Sequence, residues 1–70
     1  MMMNFAKQVS NMMNELNQNG IEVNYNGVGF YTSNGFYVES SSVTNIYRGH
    51  ELEKSYKTAK SAINYILGGN

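Results

Sequence analysis

Three Asn-Gly dipeptides divide the 70-residue chain at points where the spacing of its apolar residues changes. They lie at residues 19–20, 26–27 and 34–35. Asn and Gly both tolerate the left-handed backbone that helix C-caps and tight hairpin turns require. The three sites therefore predict one helix end followed by two reversals of a β-strand.

The segment before the first dipeptide has apolar residues at helical spacing. It predicts an amphipathic helix over residues 4–19, with Asn4 as its N-cap and Gly20 at its C-terminal end. We interpret its methionines as core residues rather than as an adaptable binding groove. The predicted apolar face comprises Phe5, Val9, Met12, Met13 and Leu16.

After this helix the apolar residues alternate with polar ones, which is typical of half-buried strands. A two-residue turn at 26–27 pairs Val23 with Phe30. A three-residue loop at 33–35 then pairs Phe30 with Val38, and it keeps the apolar side chains of a three-stranded meander on one face. The residues predicted to be buried there are Ile21, Val23, Tyr25, Val28, Phe30, Phe36 and Val38.

The opposite face of the predicted sheet is polar apart from two aromatic residues. The same register sets Tyr31 directly across from Tyr37. Because tyrosine is enriched at protein interfaces, this face is the first candidate for a partner-binding surface. A solvated sheet face without a partner is the simpler alternative. The predicted site residues are Tyr31, Tyr37, Glu22, Asn24 and Glu39.

The second half of the chain is less uniform. Residues 40–42 predict a flexible serine link, and residues 43–47 suggest a short fourth strand. A second helix is predicted over 58–67, but its start stays open. Either Thr58 caps a short helix that follows a strand over 51–56, or the helix begins near residue 51.

These elements predict an α+β fold in a single domain spanning residues 1–70. The expected architecture is a two-layer αβββα domain, in which both helices cover one face of an antiparallel three-stranded sheet, with or without the fourth strand. A hydrophobic core of this size supplies only about 3–5 kcal/mol. We therefore expect a homo-oligomer or a partner to add stability.

Residue usage argues against catalysis. The chain contains no cysteine, which excludes disulfides and thiolate chemistry. Its single histidine, His50, stands beside Glu51 and Glu53, which is a weak metal-ligand set. The start of the chain lacks the features of a signal peptide or a membrane span. We expect a cytoplasmic protein that is not an enzyme, uses no cofactor or metal and contacts no membrane.

Three lysines recur at every third position near the start of the predicted second helix, where the helix dipole favours phosphate. The run from Lys54 to Ala62, together with the order of helices and strands, resembles the double-stranded RNA-binding domain. That resemblance implies binding of duplex RNA by basic residues at the start of the last helix. The residues for such a site are Lys54, Lys57, Lys60 and Arg48.

Two functions follow from these interpretations. The preferred one is a small interaction protein whose open sheet face binds another macromolecule, most simply a protein. Its size and its usage of Asn, Tyr, Ile and Lys are similar in character to accessory proteins of phages and mobile elements, including inhibitors of host defence such as anti-CRISPR proteins. The alternative is an RNA-binding module. A small-ligand site at a subunit interface also stays open.

Overall fold

The structure is a computed structural model that describes residues 5–68. The predicted cap at Asn4 lies outside the described residues, and of Phe5, whose side chain was predicted to be in the core, only the backbone is described. Within this range the elements are α1 (Phe5–Gln18), β1 (Val23–Tyr25), β2 (Phe30–Thr32), β3 (Tyr37–Ser40), β4 (Thr44–Arg48), β5 (Glu51–Tyr56) and α2 (Ala59–Ile66).

The strands form one antiparallel sheet in the order β1-β2-β3-β4-β5, so each strand pairs with its neighbours in sequence. Both helices pack on the same face of this sheet. The predicted α+β fold is confirmed. The sheet has five strands because the short fourth strand and the strand alternative for residues 51–56 are both realised.

The first helix forms and ends as its sequence predicts. Met12 and Leu16 are buried, which confirms a core role for that methionine. Past the last turn, Gly20 adopts a positive φ of 85°, and the Ile21 N–H donates to the Leu16 carbonyl at 2.9 Å. The left-handed glycine thus turns the chain from α1 toward β1.

The turn between β1 and β2 differs from the predicted two-residue turn. It spans residues 26–29, and it pairs Val23 with Thr32 instead of Phe30. The Asn26 Oδ1 accepts hydrogen bonds from the backbone N–H groups of Val28 and Gly29, each at 2.9 Å. This side-chain turn lengthens the loop by two residues. A register shift of two residues keeps each side chain on the same face of the sheet. The alternation of apolar and polar residues therefore does not distinguish the four-residue turn from the predicted two-residue turn.

Two residues that the predicted register buries, Tyr25 and Val28, are exposed in the structure. Val28 lies in the turn with 67% of its surface exposed, although the predicted register buried it. Tyr25 is the last residue of an edge strand and is also exposed. Ile21 and Val23 are partly buried against the core.

The second hairpin has the predicted register. Phe30 pairs with Val38 across β2 and β3. The Thr32 N–H donates to the Phe36 carbonyl at 2.8 Å, which closes a three-residue loop in which Gly35 has a φ of 100°. The predicted register of this hairpin and its predicted three-residue loop are both confirmed.

The serine segment and the second helix complete the fold. Residues 41–43 form a tight turn between β3 and β4 rather than a link, since the Ser41 N–H donates to the Val43 carbonyl at 2.9 Å. The strand alternative for residues 51–56 is correct, and Thr58 caps α2 by accepting from the Ser61 N–H at 3.3 Å.

One irregularity interrupts the pairing of β4 with β5. Ile46 lies opposite Lys54, and the next residue, Tyr47, lies opposite Leu52. Glu53 is therefore an extra residue in β5, which is the arrangement of a β-bulge. Leu52 consequently shares the open face with Tyr47.

The hydrophobic core lies between the helices and one face of the sheet. A polar link also crosses these layers, since Gln8 of α1 donates to the Ser40 hydroxyl, which shares a 2.9 Å hydrogen bond with buried Thr44. On the other sheet face, no helix formed by residues 5–68 covers the strands. The buried core residues are Val9, Met12, Leu16, Phe30, Phe36, Val38, Ile46, Ala62, Ile63 and Ile66.

Candidate functional site

A row of side chains crosses the open face of the sheet from β1 to β5. Consecutive members are directly opposite each other in the strand pairing, so they share one face. We name this set the tyrosine row. Its members are Asn24, Tyr31, Tyr37, Tyr47 and Leu52.

The three rings of the row form a continuous aromatic surface. The ring centres of Tyr31 and Tyr37 are 4.6 Å apart, and those of Tyr37 and Tyr47 are 6.1 Å apart, with a tilt of 46° in each pair. These separations are those of favourable aromatic pairs. Tyr31 is 55% exposed and Leu52 is 56% exposed, whereas the two inner tyrosines are half-buried. The rings are thus held by each other and remain open to a partner.

The central ring is fixed at its hydroxyl end. The Tyr37 hydroxyl donates to Glu39 Oε2 at 3.1 Å and accepts from Asn26 Nδ2 at 3.3 Å. Gly29 gives this hydroxyl its space, because a Cβ there would lie 2.9 Å from it and 2.2 Å from the Val38 carbonyl oxygen. The hydrogen bond from Asn26 lowers the Tyr37 pKa. Partial burial and the Glu39 carboxylate raise it, and together they outweigh the effect of Asn26, so the net shift of the pKa is upward.

A shallow depression of about 560 Å³ lies over the three tyrosines of the row. Its walls combine aromatic rings with the Glu39 carboxylate and with His50, which lies in the turn between β4 and β5. The structure therefore brings together three predicted site residues and adds three that were not predicted. The lining residues are Tyr31, Tyr37, Glu39, Tyr47, Gly49 and His50.

The remaining two predicted site residues lie beside this depression. Glu22 and Asn24 line a smaller hollow of about 270 Å³, for which Tyr31 also provides a wall. The Glu22 backbone is held to the next loop, since the Ser33 N–H donates to the Glu22 carbonyl at 2.8 Å. Tyr31 therefore connects two hollows on one face.

Two members of the row were absent from the predicted site. The sequence places Tyr47 in a short strand without a predicted partner, because the serine segment before it indicates a flexible link. A tight turn at residues 41–43 would have set Tyr47 opposite Tyr37. Leu52 carried no usable signal, because the extra residue in β5 places it on the open face.

The predicted strip of lysines along one side of α2 is wrong. Lys54 lies on β5, Lys57 lies in the connection to α2, and Lys60 belongs to the helix. The backbone of residues 51–56 pairs with β4, and this pairing overrides the three-residue spacing that suggested a helix. Lys54 lies opposite Ile46 on the helix side of the sheet, with its Nζ 6.0 Å from the centre of the Tyr65 ring.

Arg48 is also engaged within the fold. Its Nε donates to Glu53 Oε1 at 2.9 Å, and its guanidinium carbon lies 4.4 Å from the centre of the Phe36 ring. The Tyr65 hydroxyl donates to the same carboxylate. The hydrogen bond from Arg48, followed by that from Tyr65, lowers the pKa of Glu53, and the Glu53 carboxylate raises the pKa of Tyr65. This cluster joins β4, β5 and α2.

A larger hollow, of about 700 Å³, lies between the two helices. Charged side chains of both signs line it, among them Lys7, Glu15 and Lys60. Among the side chains that the structure describes, no aromatic ring lines it. The tyrosine row is therefore the more distinctive surface, although it surrounds the smaller depression.

Comparison of the chain with models of protein families, with curated proteins and with solved structures finds no match. Among residues 5–68, no helix is long and apolar enough to cross a membrane. The same part of the chain holds no group of three or more His, Asp or Glu side chains arranged to bind a metal ion.

Proposed function

We propose that the protein is a non-enzymatic binding module and that the tyrosine row is its contact surface for another protein. The observation that carries this proposal is the set of three contiguous tyrosine rings on the sheet face that the helices leave open. Tyrosine combines a large apolar area with a polar hydroxyl, and it is enriched among the residues that dominate binding energy at interfaces.

Two exposed members of the row support the same function. Tyr31 and Leu52 are exposed large side chains on either side of the half-buried inner tyrosines. A partner that covered the row would remove both from water, and burying apolar surface yields roughly 25 cal/mol per Å². The rigid inner rings would lose little conformational freedom on binding, which lowers the entropic cost.

The biological role that we propose is inhibition by coverage. A chain of 70 residues that binds through one sheet face acts most simply by blocking a surface of a larger protein. This is the action expected of a small phage or mobile-element protein directed against a host defence system in the cytoplasm. Self-association through the same face would compete with the partner for this surface.

A capture experiment with matched variants tests the proposal. Tagged wild-type protein, the double variant Tyr31→Ala with Tyr47→Ala, and Tyr25→Ala are each incubated with host lysate after nuclease treatment. Tyr25 is an exposed tyrosine outside the row, so it controls for the loss of an aromatic side chain. We expect a host protein to bind the wild type and the control, and to be lost from the double variant.

Three further observations complete this test. Circular dichroism must show all three proteins folded at the temperature of capture. Capture that is equally strong with the double variant contradicts the proposed surface. Capture that occurs in a parallel untreated lysate and is lost after nuclease treatment indicates RNA instead. Sedimentation over a wide concentration range determines whether the free protein forms dimers and whether the double variant abolishes them.

A further inference from the structure

The depression over the tyrosine row has the chemistry of a site for an organic cation. Three tyrosine rings and one carboxylate contribute to its lining. The face of an aromatic ring carries partial negative charge, and a guanidinium or ammonium group within about 6 Å of a ring centre is attracted to it. Rings 4.6 and 6.1 Å from their neighbours allow one cation to contact more than one face.

The Glu39 carboxylate makes this depression negative. Within residues 5–68 it accepts one hydrogen bond, from the Tyr37 hydroxyl, whereas an ionised carboxylate accepts up to about four. Two nearby basic residues do not neutralise it, since Arg48 pairs with Glu53 and Lys54 lies near Tyr65 on the helix side of the sheet. A cation from outside would therefore meet a carboxylate with accepting capacity to spare.

We propose that this depression binds an arginine side chain presented by the partner protein, with its guanidinium against the tyrosine rings and hydrogen-bonded to Glu39. This inference rests on the proposed function and names the chemistry that the face recognises. Arginine fits better than lysine because its planar guanidinium both stacks on aromatic rings and donates in parallel to a carboxylate. A volume of about 560 Å³ also accommodates the aliphatic stem and neighbouring backbone.

The same charge disfavours a nucleic acid at this position. Base stacking on tyrosine is sequence-tolerant and would suit the rings alone. Nucleic-acid binding also requires phosphate to be neutralised by basic residues. Among the described residues that line the depression, His50 is basic, none is lysine or arginine, and Glu39 is acidic. Complementarity of charge therefore selects a basic protein segment.

The test is a titration followed by two-dimensional NMR of the intact protein. One probe is a short Gly-Ser peptide with a central arginine, and its matched control carries citrulline, which keeps the shape of arginine but lacks the charge. We expect the arginine peptide to shift the signals of Tyr31, Tyr37 and Tyr47. The citrulline peptide should bind about tenfold more weakly, because its neutral ureido group loses the ionic component of the hydrogen bond to Glu39 and the cation–π attraction to the rings.

Variants of the protein locate the interaction. Glu39→Gln should weaken arginine-peptide binding about tenfold while the citrulline peptide binds unchanged. Tyr47→Leu keeps an apolar side chain but removes a ring face, so it should also weaken binding. Tyr25→Leu, outside the row, should bind like the wild type. Each variant must give a dispersed spectrum of a folded protein.

The outcomes separate this inference from the proposed function. Equal binding of the two peptides, or a Glu39→Gln variant that binds arginine normally, overturns the arginine site. A single-stranded RNA hexamer that saturates the tyrosine signals when the arginine peptide does not would assign the site to nucleic acid and overturn it as well. If capture of the host protein still depends on Tyr31 and Tyr47, the proposed function survives that failure.

Discussion

Replacing Phe30 and Val28 separately by alanine gives the sharpest test of how the first hairpin packs. Both residues belong to the apolar alternation of the sequence, and a two-residue turn would bury both. In the structure, Phe30 is 0% exposed at the centre of the core, whereas Val28 lies in the turn between β1 and β2 with its side chain mostly in water.

The expected difference between the two variants is large. Truncating a buried phenylalanine costs about 3–5 kcal/mol, which combines the lost burial with the cavity left behind. The total stability expected for a domain of this length is roughly 3.5–10 kcal/mol, at about 0.05–0.15 kcal/mol per residue. Phe30→Ala should therefore remove much or all of the stability. Val28→Ala should change it by less than about 0.5 kcal/mol, as exposed substitutions do.

Urea denaturation monitored by far-ultraviolet circular dichroism measures both variants. Since Phe30→Ala could leave no folded baseline, Phe30→Leu serves as a milder variant with an expected loss of about 1–2 kcal/mol. A Val28→Ala loss comparable with that of Phe30→Leu would refute the four-residue turn. Near-wild-type stability of Phe30→Ala would refute the assignment of the buried face.

Three other perturbations probe contacts outside this hairpin. Asn34→Ala removes the 2.8 Å hydrogen bond from the Asn34 side chain to the Ile66 carbonyl, so the free energy of unfolding should fall by about 1 kcal/mol and Tm by roughly 4–8 °C in a thermal melt. Gly29→Ala places a Cβ against a backbone oxygen, and an unchanged melt would contradict that close approach. Glu53 has a pKa below its ordinary value of 4.5 because Arg48 bonds to it, so its contribution to stability is present at neutral pH and lost as the pH falls through the lowered pKa. Urea titrations should show the gap between wild type and Glu53→Gln closing below about pH 4.5, and a constant gap would contradict the ion pair.

Local patterns in the sequence predict the first helix and the loop at residues 33–35, and they offer the cap at Thr58 as one of two starts for the second helix. In each case the deciding interaction joins residues close in the chain, such as Thr32 with Phe36. The prediction for the turn at residues 26–29 is wrong because the Asn26 side chain accepts hydrogen bonds from the Val28 and Gly29 N–H groups, which lengthens the turn without disturbing the alternation. Periodicity alone carries no information about a shift of two residues.

The candidate site was predictable only where two neighbouring strands define it. Tyr31 and Tyr37 follow from the register of one hairpin, and the structure places Glu39 beside them. The position of Tyr47 depends on the pairing of β3 with β4. That pairing was not predicted, because the serine-rich segment between the two strands suggested a flexible link. The lysine strip failed for the same kind of reason, since pairing of residues 51–56 with a preceding strand outweighed a helical spacing of charges.

The bulge in β5 makes this strand unusually tolerant of a change in length. Deleting a residue from the middle of a strand ordinarily turns every side chain beyond it toward the wrong layer. Here Lys54 already lies opposite Ile46 and Leu52 opposite Tyr47, so a 69-residue chain without Glu53 would regain uninterrupted alternation. The sheet itself has no need of the extra position. The Glu53 carboxylate instead makes the contacts with Arg48 and Tyr65. Loss of Glu53 would therefore loosen the attachment of α2 while leaving the aromatic surface in place.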